Sequence, residues 1–243
     1  MDVPPYEALA PFYDEVMRHV DYKEWMEYID SIFNRYRPRT TTVLDAGCGT
    51  GKGLRLLRGM GYRVFGCDRS LAMSKSAARR CRQAVCRADI TAMPFAKGFD
   101  AVVCLFDTVH YLQPDQMDRF FSEAHRVLSP RGLFVFDVVT ERHVLDCWAD
   151  CTDLIRRKRW EAVRWSWFDR HRSIQHTEFD IFLTGRKTIW RESHRQRIYR
   201  LETVRQAAEK AGFFTRGCFE DMTFRTGGER SDRVHFVMRR GPA

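Results

Sequence analysis

Between Thr41 and Asp137 the chain alternates short apolar blocks with segments whose apolar residues recur every three or four positions. The blocks are TTVLDA (41–46), YRVFGCD (62–68), QAVCRAD (83–89), FDAVVCLF (99–106) and GLFVFDVV (132–139), several of them unbroken as in strands covered on both faces. Between them, GKGLRLLRGM, SLAMSKSAARRCR and PDQMDRFFSEAHRVL carry Leu, Met and Phe at helical spacing. Gly61 stands where the first helix should end, and Ser70 and Pro114 open the next two. Strand and helix in strict alternation predict right-handed crossovers and an α/β, Rossmann-like, doubly wound sheet. Ligands of such sheets sit at the carboxyl ends of the strands, where the strand order reverses.

Two regions break the alternation. Residues 6–36 carry Tyr6, Leu9, Phe12, Tyr13, Val16 and Met17, then Trp25, Ile29, Ile32 and Phe33, which predicts one or two amphipathic helices folding over the sheet's edge. Residues 156–200 read as an antiparallel meander with turns near Asp169–Arg172 and Thr184–Lys187. A helix (201–212) and two strands, FTRGCFEDMTF and RVHFVMRR, follow. The expected organisation is therefore a helical lid (1–40), a core (41–145 and 201–243) with a seven-stranded sheet whose last strand is antiparallel, and an inserted cap (146–200).

Composition narrows the classes. With 243 residues, 44% hydrophobic and 13% aromatic, the chain can bury one core and a small cap, and the net charge of +9 does not make it a disordered basic tail. No apolar run reaches membrane-spanning length and the N-terminus has no leader pattern, so a soluble, unsecreted, cytoplasmic protein with no membrane partner is expected. The eight cysteines form no Cys-x-x-Cys pair and read as reduced thiols. Cys147 and Cys151, one helical turn apart, lack two further metal ligands nearby and read as small packing residues, so no metal is expected.

The turn Asp45-Ala46-Gly47-Cys48-Gly49-Thr50-Gly51 ends a strand and begins a helix, where backbone N–H groups converge. A triphosphate loop is disfavoured, because Ala46 stands at its first glycine and Gly53 follows Lys52. A dinucleotide fingerprint would need glycine in place of Lys52, and Asp45 is an awkward neighbour for a pyrophosphate. A ligand with an adenosine and a zwitterionic tail fits better: Asp45 can meet an ammonium group while the glycines admit the tail to the backbone.

At this point the chain resembles the class I S-adenosylmethionine-dependent methyltransferases, in the small-molecule branch. The resemblance runs in order through the glycine turn, Val64-Phe65-Gly66-Cys67-Asp68, Ala88-Asp89-Ile90, Met93-Pro94-Phe95, Phe99-Asp100-Ala101-Val102-Val103 and Arg126-Val127-Leu128-Ser129-Pro130-Arg131-Gly132. It implies S-adenosylmethionine as cofactor, with Asp68 on the ribose hydroxyls and Asp89 and Ile90 at the adenine. Asp45, Gly47, Cys48, Gly49, Arg69, Met73 and Phe106 complete the implied cofactor set. Read alone, Asp68 can also be a helix cap and Asp89 a turn residue, the lesser of the two readings in each case.

On the acceptor side, His110 is the first candidate for a polar catalytic group, with a histidine satisfied by backbone as the rival reading. The N-terminal segment resembles the lid of small-molecule methyltransferases, implying Tyr13 and Trp25 over the methionine end; core packing is the competing reading. Glu192-Ser193-His194-Arg195-Gln196-Arg197-Ile198-Tyr199 resembles the strand after the cap in the same relatives, which adds His194 to the catalytic candidates beside His110 and Tyr13 of the lid. Alternation separates His194, Gln196 and Ile198 from Arg195, Arg197 and Tyr199 without saying which face is the pocket. Residues 156–200 hold 13 Lys and Arg against five acids, interleaved with aromatics. That composition suits a solvated face, a pocket or dimer surface for an acidic small acceptor, or a nucleic-acid surface. The expected function is methyl transfer to N or O of a small molecule, against RNA or protein methylation and against a non-catalytic adaptor.

Overall fold

The computed structural model describes residues 1–81, 84–185 and 187–241. In chain order the elements are β1 (Asp2–Val3), α1 (Tyr13–Val16), α2 (Tyr22–Tyr36), β2 (Thr42–Ala46), α3 (Lys52–Gly59), β3 (Arg63–Asp68), α4 (Leu71–Cys81), β4 (Val85–Arg87), β5 (Phe99–Cys104) and α5 (Pro114–Val127). There follow β6 (Leu128–Val139), α6 (Glu141–His143), β7 (Cys151–Arg156), β8 (Trp160–Asp169), β9 (Ile174–Leu183), β10 (Ile189–Arg197), α7 (Leu201–Lys210), β11 (Phe213–Glu220) and β12 (Arg233–Arg240). Of the expected strand and helix residues, Arg82 and Gln83 lie outside the described set, as does Arg186 of the basic meander.

The main sheet has seven strands in the order β11-β12-β6-β5-β2-β3-β4. Strands β2 to β6 pair in parallel, and the last strand, β12, runs antiparallel to both β6 and β11. The order reverses between β2 and β5, so a crevice opens beyond their carboxyl ends. On one face Phe120 and Phe121 of α5 and Val204 and Ala208 of α7 pack on Phe134, Phe136 and Phe236. The other face is covered by α2, α3 and α4, with Met26, Ile29, Ile32 and Phe33 against Val43, Val103 and Val135. Helix α2 thus lies on the sheet's face rather than over its edge, because its six-residue apolar stripe needs a broad surface to bury against.

The second sheet, β1-β10-β9-β8-β7, is the cap. It holds two strands that the sequence reading leaves out. In β7, Cys151, Asp153 and Ile155 point inward and Thr152, Leu154 and Arg156 outward, so polarity does not mark the buried side. β1 is only two residues long and pairs in parallel with β10, Val3 opposite Glu192. The N-terminal forty residues are therefore divided. Residues 2–3 extend the cap sheet, Leu9, Phe12 and Val16 pack on Trp160, Ala162 and Ile181 of the cap, and α2 belongs to the core. No helix among the described residues is long and apolar enough to cross a membrane.

Candidate active site

The turn after β2 is built for close approach. Gly47 has φ +89° and a Cβ there would come within 2.7 Å of Thr108; Gly51 has φ +79° and would meet Ala77 of α4 at 3.0 Å. The amides of Gly47 and Cys48 donate to the Cys67 carbonyl (2.8 and 3.0 Å), and that of Gly49 donates to Asp68 Oδ2 (2.9 Å). The cavity over this turn collects Asp45, Gly47, Cys48, Gly49, Asp68, Arg69, Met73, Asp89, Ile90, Phe106 and Tyr13.

Three carboxylates mark its length. Asp45 is buried and accepts no hydrogen bond from any described residue; burial, aided by the nearby Asp68, pushes its pKa up to about 7. Asp68 is also raised by burial, against the pull of the Ser70 and Gly49 amides. Its Oδ1 accepts from the Ser70 amide (2.9 Å), so the side chain serves both the start of α4 and the cavity. Asp89 closes a turn through the Thr91 amide and hydroxyl (2.8 and 2.7 Å) while it lines the cavity with Ile90. In this order Asp45 could hold an ammonium group, Asp68 a ribose and Asp89 with Ile90 an adenine, the parts of S-adenosylmethionine.

Trp25 is the exception. It packs behind Phe106 with the rings tilted (centroids 4.4 Å apart), has the Arg233 guanidinium over its ring at 5.2 Å, and lines a neighbouring chamber instead. Tyr6 and Tyr22 join Tyr13 over the cavity instead. Tyr22 and Trp25 are one turn apart on α2, and only the helix's rotation against the sheet decides which of them reaches the cavity.

His110 does not line the cavity either, and its surroundings match the rival reading of a histidine satisfied by backbone. It is fully buried, its Nδ1 lies 2.7 Å from the Arg197 carbonyl, and its Nε2 lies 3.0 Å from the Val139 amide. The amide can only donate, so Nε2 accepts and Nδ1 carries the proton donated to Arg197. Both nitrogens are used. Burial lowers the pKa and keeps the ring neutral, so His110 fastens the loop after β5 to β6 and to the residue ending β10.

His194 stands differently. A second, larger chamber lies under the cap, and Tyr6, Tyr13, Phe106 and Tyr111 line both spaces. Glu192, His194 and Gln196 occupy the buried face of β10, while Arg191, Ser193 and Arg195 are exposed. His194 Nδ1 is 3.0 Å from the Tyr111 hydroxyl, which is 2.6 Å from the Tyr6 hydroxyl; Nε2 is 3.3 Å from Glu192 Oε2. Sequence inspection singles out neither Tyr111 nor Tyr6, although Tyr111 directly follows His110. Burial first, then the neighbouring phenol, raises the Tyr6 pKa, so its hydroxyl stays neutral.

Most of the meander's positive charge faces solvent rather than the chamber. Nine of the cap's Lys and Arg are exposed, Arg156, Lys158, Arg159, Arg170, Arg172, Lys187, Arg191, Arg195 and Arg200. Among the described Lys and Arg of the cap only Arg164, half-buried, lines the chamber, and it is ion-paired with Asp153. Arg233 also lines it, held between Asp107 and Asp137. Burial raises Asp107, but Arg233 outweighs it and leaves the pKa lowered; burial wins at Asp137, which rises to about 7. Asp21, Glu24, Asp153 and Asp221 lie along the wall, so the chamber is acidic inside a basic shell. The Cys147 and Cys151 thiols are free, with Cys147 exposed rather than packed and Cys151 on the chamber wall.

Comparison with known proteins agrees with this geometry. Residues 43–132 match the family described as "Methyltransferase domain". A Geobacillus sp. (strain WCH70) protein, named a methyltransferase on inference, is 27% identical over 97% of this chain and 99% of its own length. A crystal structure of an S-adenosylmethionine-dependent methyltransferase from Clostridium acetobutylicum superposes with a TM-score of 0.83 at 19% identity, covering 97% of this chain and 99% of that one. The sugar N-methyltransferase KedS8 from Streptoalloteichus sp. superposes with a TM-score of 0.76 at 22% identity, covering 94% of this chain and 92% of that one. Domain match, whole-chain relative and shared fold agree: residues 43–132 form a methyltransferase domain, in a chain whose fold is that of S-adenosylmethionine-dependent methyltransferases.

Proposed function

We propose that the enzyme methylates a nitrogen atom of a small, amine-bearing acceptor held in the chamber under the cap. The observation that carries the reading is the aromatic wall of Tyr6, Tyr13, Phe106 and Tyr111, common to the cofactor cavity and a chamber lined by carboxylates. Bound over the glycine turn, the cofactor supplies a methyl group already activated on a sulfonium sulfur. The protein's work is then to align the acceptor and exclude water, which can supply roughly 7–11 kcal/mol. Asp45 would hold the ammonium of the cofactor's tail, Asp68 the ribose, and Asp89 with Ile90 the adenine.

An amine reaches the chamber as an ammonium ion, attracted by Asp21, Glu24 and Asp221, and must lose a proton before its lone pair can attack. The Tyr6–Tyr111–His194–Glu192 chain can take it. Glu192 as carboxylate only accepts, so His194 Nε2–H donates to it, Nδ1 accepts from Tyr111, and Tyr111 accepts from Tyr6. Every proton points inward. A proton delivered to the Tyr6 oxygen can be relayed to His194, whose imidazolium then faces a carboxylate. KedS8, which superposes over 94% of this chain, is a sugar N-methyltransferase, and that likeness supports an amino-sugar-like acceptor.

The test is product analysis by mass spectrometry after incubation with S-adenosylmethionine and matched pairs of amino and hydroxy sugars, alongside transfer RNA. The expected result is methylated amine only. Methylation of the hydroxy partner alone, or of RNA with a salt-dependent affinity, would overturn the reading.

A further inference from the structure

Resting on that relay, we infer that Glu192 couples closure of the N-terminal segment to assembly of the base: the carboxylate that orients His194 is the same one that fastens residues 6–9 to the cap. Glu192 is wholly buried on β10. A carboxylate in such a place is stable only when its lone pairs are filled. Oε1 accepts from the amides of Ala8 and Leu9, the latter at 2.8 Å, and Oε2 accepts from the Tyr6 amide at 2.9 Å and from His194. Three of its four donors thus belong to one short stretch of backbone.

The stretch is shaped to deliver them. β1 runs beside β10 with Val3 opposite Glu192, and the chain then turns so sharply that Tyr6 adopts φ +66°, a left-handed conformation unusual for a tyrosine. That conformation lets three amides of one short stretch, those of Tyr6, Ala8 and Leu9, meet at one side chain, and the bonds they make hold it in place. The far side of the same stretch is tied to the cofactor half. Glu7 accepts from the Ser70 hydroxyl (2.9 Å) and the Leu71 amide (2.8 Å) at the start of α4, two residues beyond Asp68.

Lifting residues 6–9 to admit a ligand would remove those three donors from Glu192 at once. The carboxylate would then be short of donors and free to turn, and His194 Nε2–H would lose the acceptor that fixes its tautomer. Tyr6, the first member of the relay, would leave with the segment. An open lid therefore leaves no directed proton path, and a closed one restores it. Glu192 is a positioning residue, acting through His194 and through the segment, with no contact to either reactant.

Imidazole ¹⁵N spectra of the full chain bound to S-adenosylhomocysteine, with backbone amide exchange on the same samples, test this without any acceptor. The wild type should show a single Nε2–H tautomer at His194. Glu192→Gln should mix the tautomers and speed exchange at Tyr6, Ala8 and Leu9 by about tenfold, the loss of a charge-assisted bond. Ala8→Pro deletes one donor without touching His194 and should move the His194 signal in the same direction. A loosened segment with an unmoved His194 signal in either variant overturns the coupling, as does unchanged exchange in Glu192→Gln. Should both readouts move while no amine is methylated, the coupling stands and the N-methylation reading falls.

Discussion

Asp45 offers a prediction that can be worked through with numbers. Its carboxyl is buried, has no hydrogen-bond donor among the described residues, and has its pKa raised from 3.8 to about 7. A raised carboxylate stabilises the fold at pH values below its unfolded pKa, and that contribution disappears as pH climbs through the folded value. For the cofactor-free protein, stability should therefore decline between about pH 4 and pH 7, by an amount on the order of 4 kcal/mol from this group. Cofactor binding should run the other way. An ammonium group needs the ionised carboxylate, so affinity should fall as pH drops below 7. From pH 7.5 to pH 5.5 the ionised fraction shrinks roughly 25-fold, and the dissociation constant of S-adenosylhomocysteine should rise by about that factor. Isothermal titration calorimetry at fixed ionic strength measures it, and buffers of different ionisation enthalpy should report about one proton released per ligand at pH 5.5. Asp45→Asn should bind weakly at every pH with no proton release. A wild-type affinity flat across this window, or an unchanged slope in Asp45→Asn, would refute the argument.

Two further outcomes follow from the same cavity and its surroundings. Asp68→Ala removes the acceptor for the Gly49 and Ser70 amides as well as the proposed ribose partner, so S-adenosylhomocysteine should bind about 1.5–3 kcal/mol more weakly, and an unchanged dissociation constant would leave Asp68 as a helix cap alone. His110→Ala strips partners from the buried Val139 amide and Arg197 carbonyl, costing roughly 2–5 kcal/mol in chemical denaturation while cofactor affinity in the folded protein stays as it was; a stable but inactive variant would return His110 to the chemistry.

The cofactor half could be read from the chain because its parts are local. Each cavity residue there follows closely on a strand that announces itself by an apolar run: Gly47 and Gly49 after β2, Asp68 at the end of β3, Asp89 beyond β4 and Phe106 beyond β5. Parallel crossovers deliver all those strand ends to one side of the sheet, so a residue's position relative to its own strand suffices to place it.

The acceptor half is assembled from pieces far apart in sequence, and there local pattern loses its force. His110 and His194 look alike on the page, yet one has both nitrogens closed off by backbone and the other faces a chamber through Tyr111. Tyr22 and Trp25 share a helix, and the docking of α2 on the sheet chose between them. The meander's positive charge was countable in advance, but which phase of each strand turns outward depends on what the cap packs against. Against the N-terminal segment it turned the arginines to water and left Glu192, His194 and Asp153 within. Nearest-neighbour spacing determines which residues share a face; only packing between distant segments determines what that face looks upon, because burial free energy belongs to the pair of surfaces and not to either alone.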